Sequence, residues 1–237
     1  MSRKAFIFGS DYKGSEEALQ SCVADCTRIS EALKSKSFTV EPHWSDAALD
    51  WPKIQSSLTA FVKSLKSGDK AIVYYSGHGL QVKDNNGDEE DGNDEAVYTG
   101  NEVYVRDDDL RSIFQLAVAG VKLLVVFDCC HSGSMLDLPY RINDMALKKE
   151  SNFTFRADII CISGCFDTEV SYEARGTGFL TDCFVKLLTR WSPKINPSMP
   201  WMDFYIRLSS DLIDLSNNAQ FPRISFSNYN VLKTMWL

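Results

Sequence analysis

No part of this sequence is long and apolar enough to span a bilayer. Its longest apolar run, Val121 to Phe127, carries Lys122 inside it, and a spanning helix needs about 20 residues. The opening Met-Ser-Arg-Lys-Ala-Phe-Ile-Phe-Gly is too short an apolar stretch for a secretory signal. Positive charge is not in excess either: Lys and Arg number 25 against 32 Asp and Glu, a formal net charge of -7, with a pI near 5.0. Neither polyanion is drawn to an acidic surface, which excludes nucleic acid and an anionic membrane as main partners and suits a cationic substrate or a metal. There is no Cys-x-x-Cys pair, and the seven cysteines are an odd number, so a disulfide framework in a secreted protein is not expected. A reducing, cytoplasmic setting follows. Internal repeats are absent.

What is present is an alternation of short apolar runs with longer amphipathic segments, the pattern of an α/β fold with a parallel sheet covered by helices on both faces. With 237 residues, 44% of them hydrophobic, one domain with one substantial core is expected. Strands are expected at Lys4 to Gly9, Phe38 to Glu41, Lys70 to Tyr75, Val121 to Phe127 and Ala157 to Ile162, with a weaker one at Pro222 to Phe226. Helices are expected at Glu17 to Lys34, Pro52 to Lys66, Asp108 to Ala119, Gly178 to Leu188 and Trp201 to Leu215. Ala96 to Tyr98 and Glu102 to Val105 suit a small added antiparallel hairpin. Lys83 to Glu95, with seven carboxylates and three Asn, reads as a loop. Tyr140 to Asp158, of mixed charge and little periodicity, reads as a flexible connector over 141–157 between a region at 1–140 and one at 158–237.

Two strands end alike, in small polar residues and then a chemically active side chain: Tyr74-Tyr75-Ser76-Gly77-His78-Gly79 and Val126-Phe127-Asp128-Cys129-Cys130-His131-Ser132-Gly133. The carboxyl ends of parallel strands form the ligand crevice of open α/β sheets, so both segments are delivered to one place. An imidazole beside a thiol helps form the nucleophilic thiolate and later protonates a leaving amine. The Gly79 and Cys130 amides are candidate donors to an oxyanion. Successive side chains at a strand end face opposite ways, so only one of Cys129 and Cys130 can face His78.

The Ser76-Gly77-His78-Gly79 and Asp128-Cys129-Cys130-His131-Ser132-Gly133-Ser134 blocks resemble the two catalytic motifs of metacaspases, caspase-like proteases of plants, fungi and protists. The likeness continues in order through Tyr12 to Asp25, the acidic Asp88 to Glu95, Asp107-Asp108-Asp109, Ser134 to Tyr140 and Ile162-Ser163-Gly164-Cys165-Phe166-Asp167, and thus spans nearly the whole chain. It implies a caspase-like fold and a monomeric cysteine endopeptidase acting on proteins and peptides. Its nucleophile immediately precedes His-Ser-Gly, which selects Cys130, with His78 as base; His131 is left to order the loop, and His43 to the surface. The Pro-rich or zinc-finger prodomain common in type I members is not expected, since Lys4 already begins the first strand.

A basic substrate side chain requires carboxylates in its pocket. Asp128, two residues before Cys130, stands beside the nucleophile, and Cys22-Val23-Ala24-Asp25 resembles the family's first pocket motif. The resemblance implies a pocket of Cys22, Asp25, Ser76 and Asp128 and cleavage after Arg or Lys. The acidic stretch is not an EF-hand: Glu89 stands where the turn requires Gly, and no helices flank it. Carboxylates without His or Cys suit Ca²⁺ rather than Zn²⁺, and the resemblance assigns Asp94, Asp107, Asp108 and Asp137 to calcium. Lys148 and Lys149 in the connector are candidate self-cleavage points.

The family's acidic-Gln-Thr-Ser-Ala pattern after Ser163-Gly164-Cys165 is replaced here by Asp167-Thr168-Glu169-Val170-Ser171. The competing reading is a catalytically silent relative serving as a calcium-responsive scaffold or adaptor, against which the intact Cys130 and His78 argue. A cysteine phosphatase fails because Leu136, not Arg, stands six residues after Cys130.

Overall fold

Fully apolar runs of strand length can be buried on both faces, and the two central strands of the sheet are of this kind. The structure, a computed structural model, describes residues 1–85, 87, 92–130, 132–143, 146–164, 173–174, 177–190, 199–233 and 236–237. In chain order the elements are β1 (Arg3–Ser10), α1 (Cys22–Ser35), β2 (Thr39–Ser45), α2 (Trp51–Lys63), β3 (Lys70–Ser76), β4 (Gly79–Lys83), β5 (Asn93–Gly100), β6 (Val103–Arg106), α3 (Asp107–Phe114), β7 (Lys122–Asp128), β8 (Tyr140–Asn143), β9 (Ala146–Lys149), β10 (Asp158–Ser163), β11 (Glu173–Ala174), β12 (Thr177–Gly178), α4 (Phe179–Arg190), α5 (Trp201–Leu215) and β13 (Arg223–Phe226).

Among the described residues the main sheet has eight strands in the order β2-β1-β3-β7-β10-β13-β8-β9. The first five are mutually parallel, and β13, β8 and β9 follow with antiparallel pairings. Alternation along the strands sorts side chains into two cores. Ile7, Tyr74, Leu124 and Ile160 pack beneath α1, α4 and α5; Phe8, Val73, Val125 and Ile159 pack beneath α2 and α3. The expected α/β sheet with helices on both faces is what forms, and β4, β5 and β6 make a separate three-stranded antiparallel sheet where a two-stranded hairpin is expected. No helix among the described residues is long and apolar enough to cross a membrane.

Asn93–Glu95, expected to close a loop, instead open β5, and three further expectations need correction. The first helix begins at Cys22, not Glu17. Asp11, just past β1, accepts the Leu19 amide on its carbonyl at 2.7 Å and the Val23 amide on its carboxylate at 3.1 Å. These bonds hold residues 17–21 as a loop and give the helix its anionic N-terminal partner from outside. The third helix ends at Phe114, and short turns to Leu116 and Ala117 replace its last expected turn. The connector at 141–157 is not uniformly flexible: β8 and β9 form a hairpin on the sheet edge, with Tyr140 opposite Lys149 and Arg141 opposite Lys148. Tyr140 and Ile142 turn inward against the first core while Arg141 points the other way, an alternation that the surrounding charge conceals.

Leu124 is fully buried at the centre of the first core. Its replacement by Ala should cost about 2–5 kcal/mol of stability through lost burial and the cavity left behind, read as a lower urea midpoint with an unchanged slope.

Candidate active site

β3 and β7 are parallel neighbours with Ser76 in register with Asp128, so the segments that follow them leave the sheet side by side. The alternation that sends Tyr74 and Val126 to the first core sends Ser76 and Asp128 the same way, toward α1 and α4. Cys129 follows Phe127 into the second core and is 1% exposed, whereas Cys130 is half-buried. Gly79 brings the two turns together. A Cβ there would collide with the Cys130 carbonyl oxygen and come within 2.8 Å of Cys129 Sγ, so the close approach requires glycine. Ser132 Oγ donates to the Cys129 carbonyl at 2.9 Å and closes the turn around Cys130.

His78 is held from several sides. Its Nε2 lies 2.7 Å from the Glu17 carbonyl oxygen; a carbonyl can only accept, so Nε2 bears the hydrogen, which in the neutral ring leaves the lone pair on Nδ1. The Tyr12 ring stacks on the imidazole at 5.2 Å, and the His78 amide donates to the Tyr12 hydroxyl at 3.4 Å. The Tyr75 hydroxyl donates to the His78 carbonyl at 2.8 Å. Both phenols are buried, and a side chain at Gly77 would collide with the Tyr75 hydroxyl. Sequence reasoning missed these supports. The available signal was a polar-tipped aromatic, Tyr75, in an otherwise apolar strand, since a buried Tyr hydroxyl usually has a partner. The Glu17 carbonyl carried no signal, because its segment reads as helix.

The four residues expected to line a pocket do converge. The Cys22 thiol is within hydrogen-bonding reach of Ser76 and senses the charges of Asp128 and Asp25; burial pushes its pKa up, so it remains a thiol. Asp25 and Asp128 are 1% and 5% exposed. Asp25 accepts the Thr177 hydroxyl at 2.6 Å and the Gly178 amide at 2.9 Å. Asp128 Oδ2 accepts the Thr181 hydroxyl at 2.6 Å and its amide at 3.1 Å. A Cβ on Gly178 would collide with Asp128 Oδ2 and lie 3.0 Å from Asp25 Oδ2, so this backbone packs directly against both carboxylates from one side. Burial, and then the neighbouring Asp128 charge, raise the Asp25 carboxyl to about 8. Thr177, Gly178 and Thr181 belong to the same cluster and were not singled out from the sequence; they lie 155 or more positions beyond Cys22, and only folding brings them near.

The acidic residues gather on the other side of the Cys130 turn. Asp107, Asp108 and Asp137 offer oxygens within 4.8 Å of one another. Asp94, itself buried, has its carboxyl raised by burial and then by Asp108 and Asp84, and forms an ion pair with Arg106 at 2.7 Å. The Arg111 guanidinium bridges Asp108 and Asp137. Four carboxylates thus face two guanidiniums, and with an all-oxygen donor set the cluster fits a hard divalent cation. Its neighbourhood also holds the loop that follows Cys130. Ser134 Oγ donates to Glu95 at 2.6 Å, and the Asp137 carbonyl accepts from Ser151 Oγ at 2.6 Å. His131, the acidic residues 88–91 and the block at 165–172 lie outside the described residues.

The model of the caspase domain matches residues 2–232. The chain belongs to the caspase-domain family, in its metacaspase branch. Metacaspase-1 of Schizosaccharomyces pombe is 33% identical over 95% of this chain and 67% of its own length. Metacaspase-1 of Ajellomyces capsulatus is 34% identical and Metacaspase-1B of Neurospora crassa 35%, each over 65% of this chain. The chain spans less than half the length of these two, with 47% and 39% of them covered. Two solved structures share the fold: a protein of Geobacter sulfurreducens at 24% identity and TM-score 0.71, covering 99% of this chain and 97% of that one, and Caspase-1 of Spodoptera frugiperda at 13% and 0.63, covering 94% and 86%.

In this caspase-domain chain the raised Asp25 pKa has a consequence for stability. Between about pH 4 and about pH 8 the native state keeps a proton on Asp25 that the unfolded chain, with an ordinary carboxyl, has released; this contribution to stability is therefore lost as pH rises through that window. Asp25→Asn removes the dependence. The melting temperature of the variant relative to wild type should increase from about pH 5 to about pH 8, measured by thermal denaturation in chelator.

Proposed function

We propose that this chain is a calcium-dependent cysteine endopeptidase that cleaves proteins and peptides after Arg or Lys. The observation that carries the reading is the pair of buried carboxylates, Asp25 and Asp128, set beside the turn where Gly79 presses against Cys130. A guanidinium or ammonium entering there would meet two acids and the Cys22 and Ser76 side chains. With Asp25 holding a proton near neutrality, arrival of the cation would release it and leave both carboxylates charged against their partner.

Cys130 is the nucleophile. His78, with hydrogen on Nε2 and its lone pair on Nδ1, takes the thiol proton and returns it to the leaving amine. The Gly79 and Cys130 amides are the oxyanion donors. Calcium, held by Asp94, Asp107, Asp108 and Asp137, would supply the countercharge now given by Arg111 and Arg106 and so set the loop from Cys130 to Asp137. The protein acts as a cytoplasmic monomer. Both sheet edges resist pairing with another copy: β2 carries Glu41 and Pro42, and β9 carries Lys148 and Lys149.

A fluorogenic peptide ending in Arg, compared with one ending in Asp, tests the reading. Release after Arg that needs millimolar calcium and disappears in Cys130→Ala is the expected result. No turnover of either peptide, with calcium still raising the melting temperature, would favour a silent calcium-responsive scaffold.

Self-processing is part of the same proposal. Lys148 and Lys149 are exposed on an edge strand that is already extended, and a cut there requires only that β9 detach from β8. Mass spectrometry after incubation with calcium should find a cleavage following one of them, absent in Cys130→Ala; an intact wild-type chain that still cleaves the Arg peptide would remove this element.

A further inference from the structure

A groove lies across the carboxyl ends of β1 and β2, and neither the dyad nor the carboxylate pocket uses it. Its first part, about 380 Å³, is walled by Tyr12, Tyr98, Ser15 and Ala47. Its second part, about 290 Å³, is walled by Leu49, Trp51, Pro52 and Val103. The two share Ala48, Gly100 and Asn101, so they are continuous. The groove begins at His78, because the Tyr12 and Tyr98 rings that wall it lie 5.2 and 6.2 Å from the imidazole.

Its walls are built in place. The Lys13 amide donates to the Asp46 carbonyl at 2.6 Å, the Leu49 amide to the Thr99 carbonyl at 2.6 Å, and Ser10 Oγ to the Ala47 carbonyl at 2.8 Å. Gly100, at φ +97°, meets Ala48 so closely that a Cβ would collide with it. Asn101 and Glu102 follow with φ of 53° and 60°, which turns the hairpin back on itself. The lining is mainly apolar, with Asp50 its one acid. Its one cation, Lys13, is already engaged by Asp46 at 2.5 Å and Asp11 at 3.6 Å.

Position decides what the groove can hold. The carboxylate pocket joins Ser76 and Asp128, at the ends of β3 and β7, to Cys22 and Asp25 of α1 on the first-core face. The groove is walled by Leu49 and Trp51 of the second core at the ends of β1 and β2, and His78, two residues past Ser76 and stacked on Tyr12, adjoins both. In peptide cleavage the Cys130 Sγ–carbonyl bond forms, the C–N bond breaks, and the imidazolium proton passes to the departing amine. That transfer needs the amine within hydrogen-bonding reach of His78, so the departing chain leaves on the histidine side. We propose that this groove binds the substrate segment following the scissile bond and selects apolar side chains there. The inference rests on the endopeptidase reading.

The test uses the full chain with calcium and three kinds of substrate sharing the same residues up to Arg. One is a coumarin amide with no chain beyond the scissile bond; the others are internally quenched peptides continuing with apolar or with acidic residues. The apolar peptide should exceed the acidic one in kcat/KM by about 10-fold or more. Ala47→Trp, at an exposed position whose backbone bonds are retained, should fill the groove and bring that ratio close to one. Equal kcat/KM for both peptides in wild type, with the coumarin amide cleaved, overturns the groove and leaves the protease intact. A ratio unmoved by Ala47→Trp in a variant that still cleaves the coumarin amide overturns it equally. No cleavage of any of the three overturns the endopeptidase reading and this inference together.

Discussion

Ser76 and Asp128 are partners across the parallel pairing of β3 and β7, and the site is built outward from that register. The pairing places the ends of the two strands level, so His78 and Cys130 emerge from neighbouring turns. Because side chains alternate with a period of two, it also aims Ser76 and Asp128 at α1 and α4 while Cys129 turns into the opposite core. A slip of one residue on β7 would exchange these faces. Asp128 would then enter an apolar layer, and Cys129 would face the pocket. The apolar residues on both faces of β7 hold this register, since each has a core to fill.

Two electrostatic loads bracket the turn that carries Cys130. Asp128 begins it within a buried carboxylate pair, and Asp137 ends it in an acidic cluster bridged by Arg111. Burial raises the cost of charge on both sides, seen as an upward shift at Asp25 in one and at Asp94 in the other. Each load is met by fixed partners: Thr177, Gly178 and Thr181 for the pair, Arg106 and Arg111 for the cluster. The intervening loop is tied to β5 through Ser134 and Glu95. The tyrosines do comparable work without charge. Tyr12 and Tyr75 fix the backbone at His78, and their burial keeps their hydroxyls protonated as neutral partners for peptide groups.

Much of this was legible from local pattern. Strand-length apolar runs, the small-residue turns around His78 and Cys130, and the spacing that separates Cys129 from Cys130 are properties of neighbouring residues, and alternation is enough to read them. The acidic stretch announced itself by composition. What misled was equally local. Glu17 to Ser21 has helical composition, yet Asp11 holds it as a loop. The β8–β9 hairpin carries too much charge to look like a strand pair, and its edge position lets Lys148 and Lys149 remain solvated and Arg141 pair with Glu150 at 2.7 Å while Tyr140 and Ile142 pack, partly buried, against the first core.

The sequence by itself determined the α/β class, the two catalytic-type turns and the residues expected in the pocket and the acidic cluster, because each follows from residues adjacent in the chain or from blocks in a familiar order. Tertiary structure decided the rest: the packing of Gly178 against Asp25 and Asp128, the Glu17 carbonyl that sets the His78 tautomer, Arg111 between Asp108 and Asp137, and the groove between Ala48 and Gly100. Those contacts join segments far apart in the chain or hang on the course of the backbone. Their existence depends on sheet register and on loop geometry, neither of which is written in any single stretch of sequence.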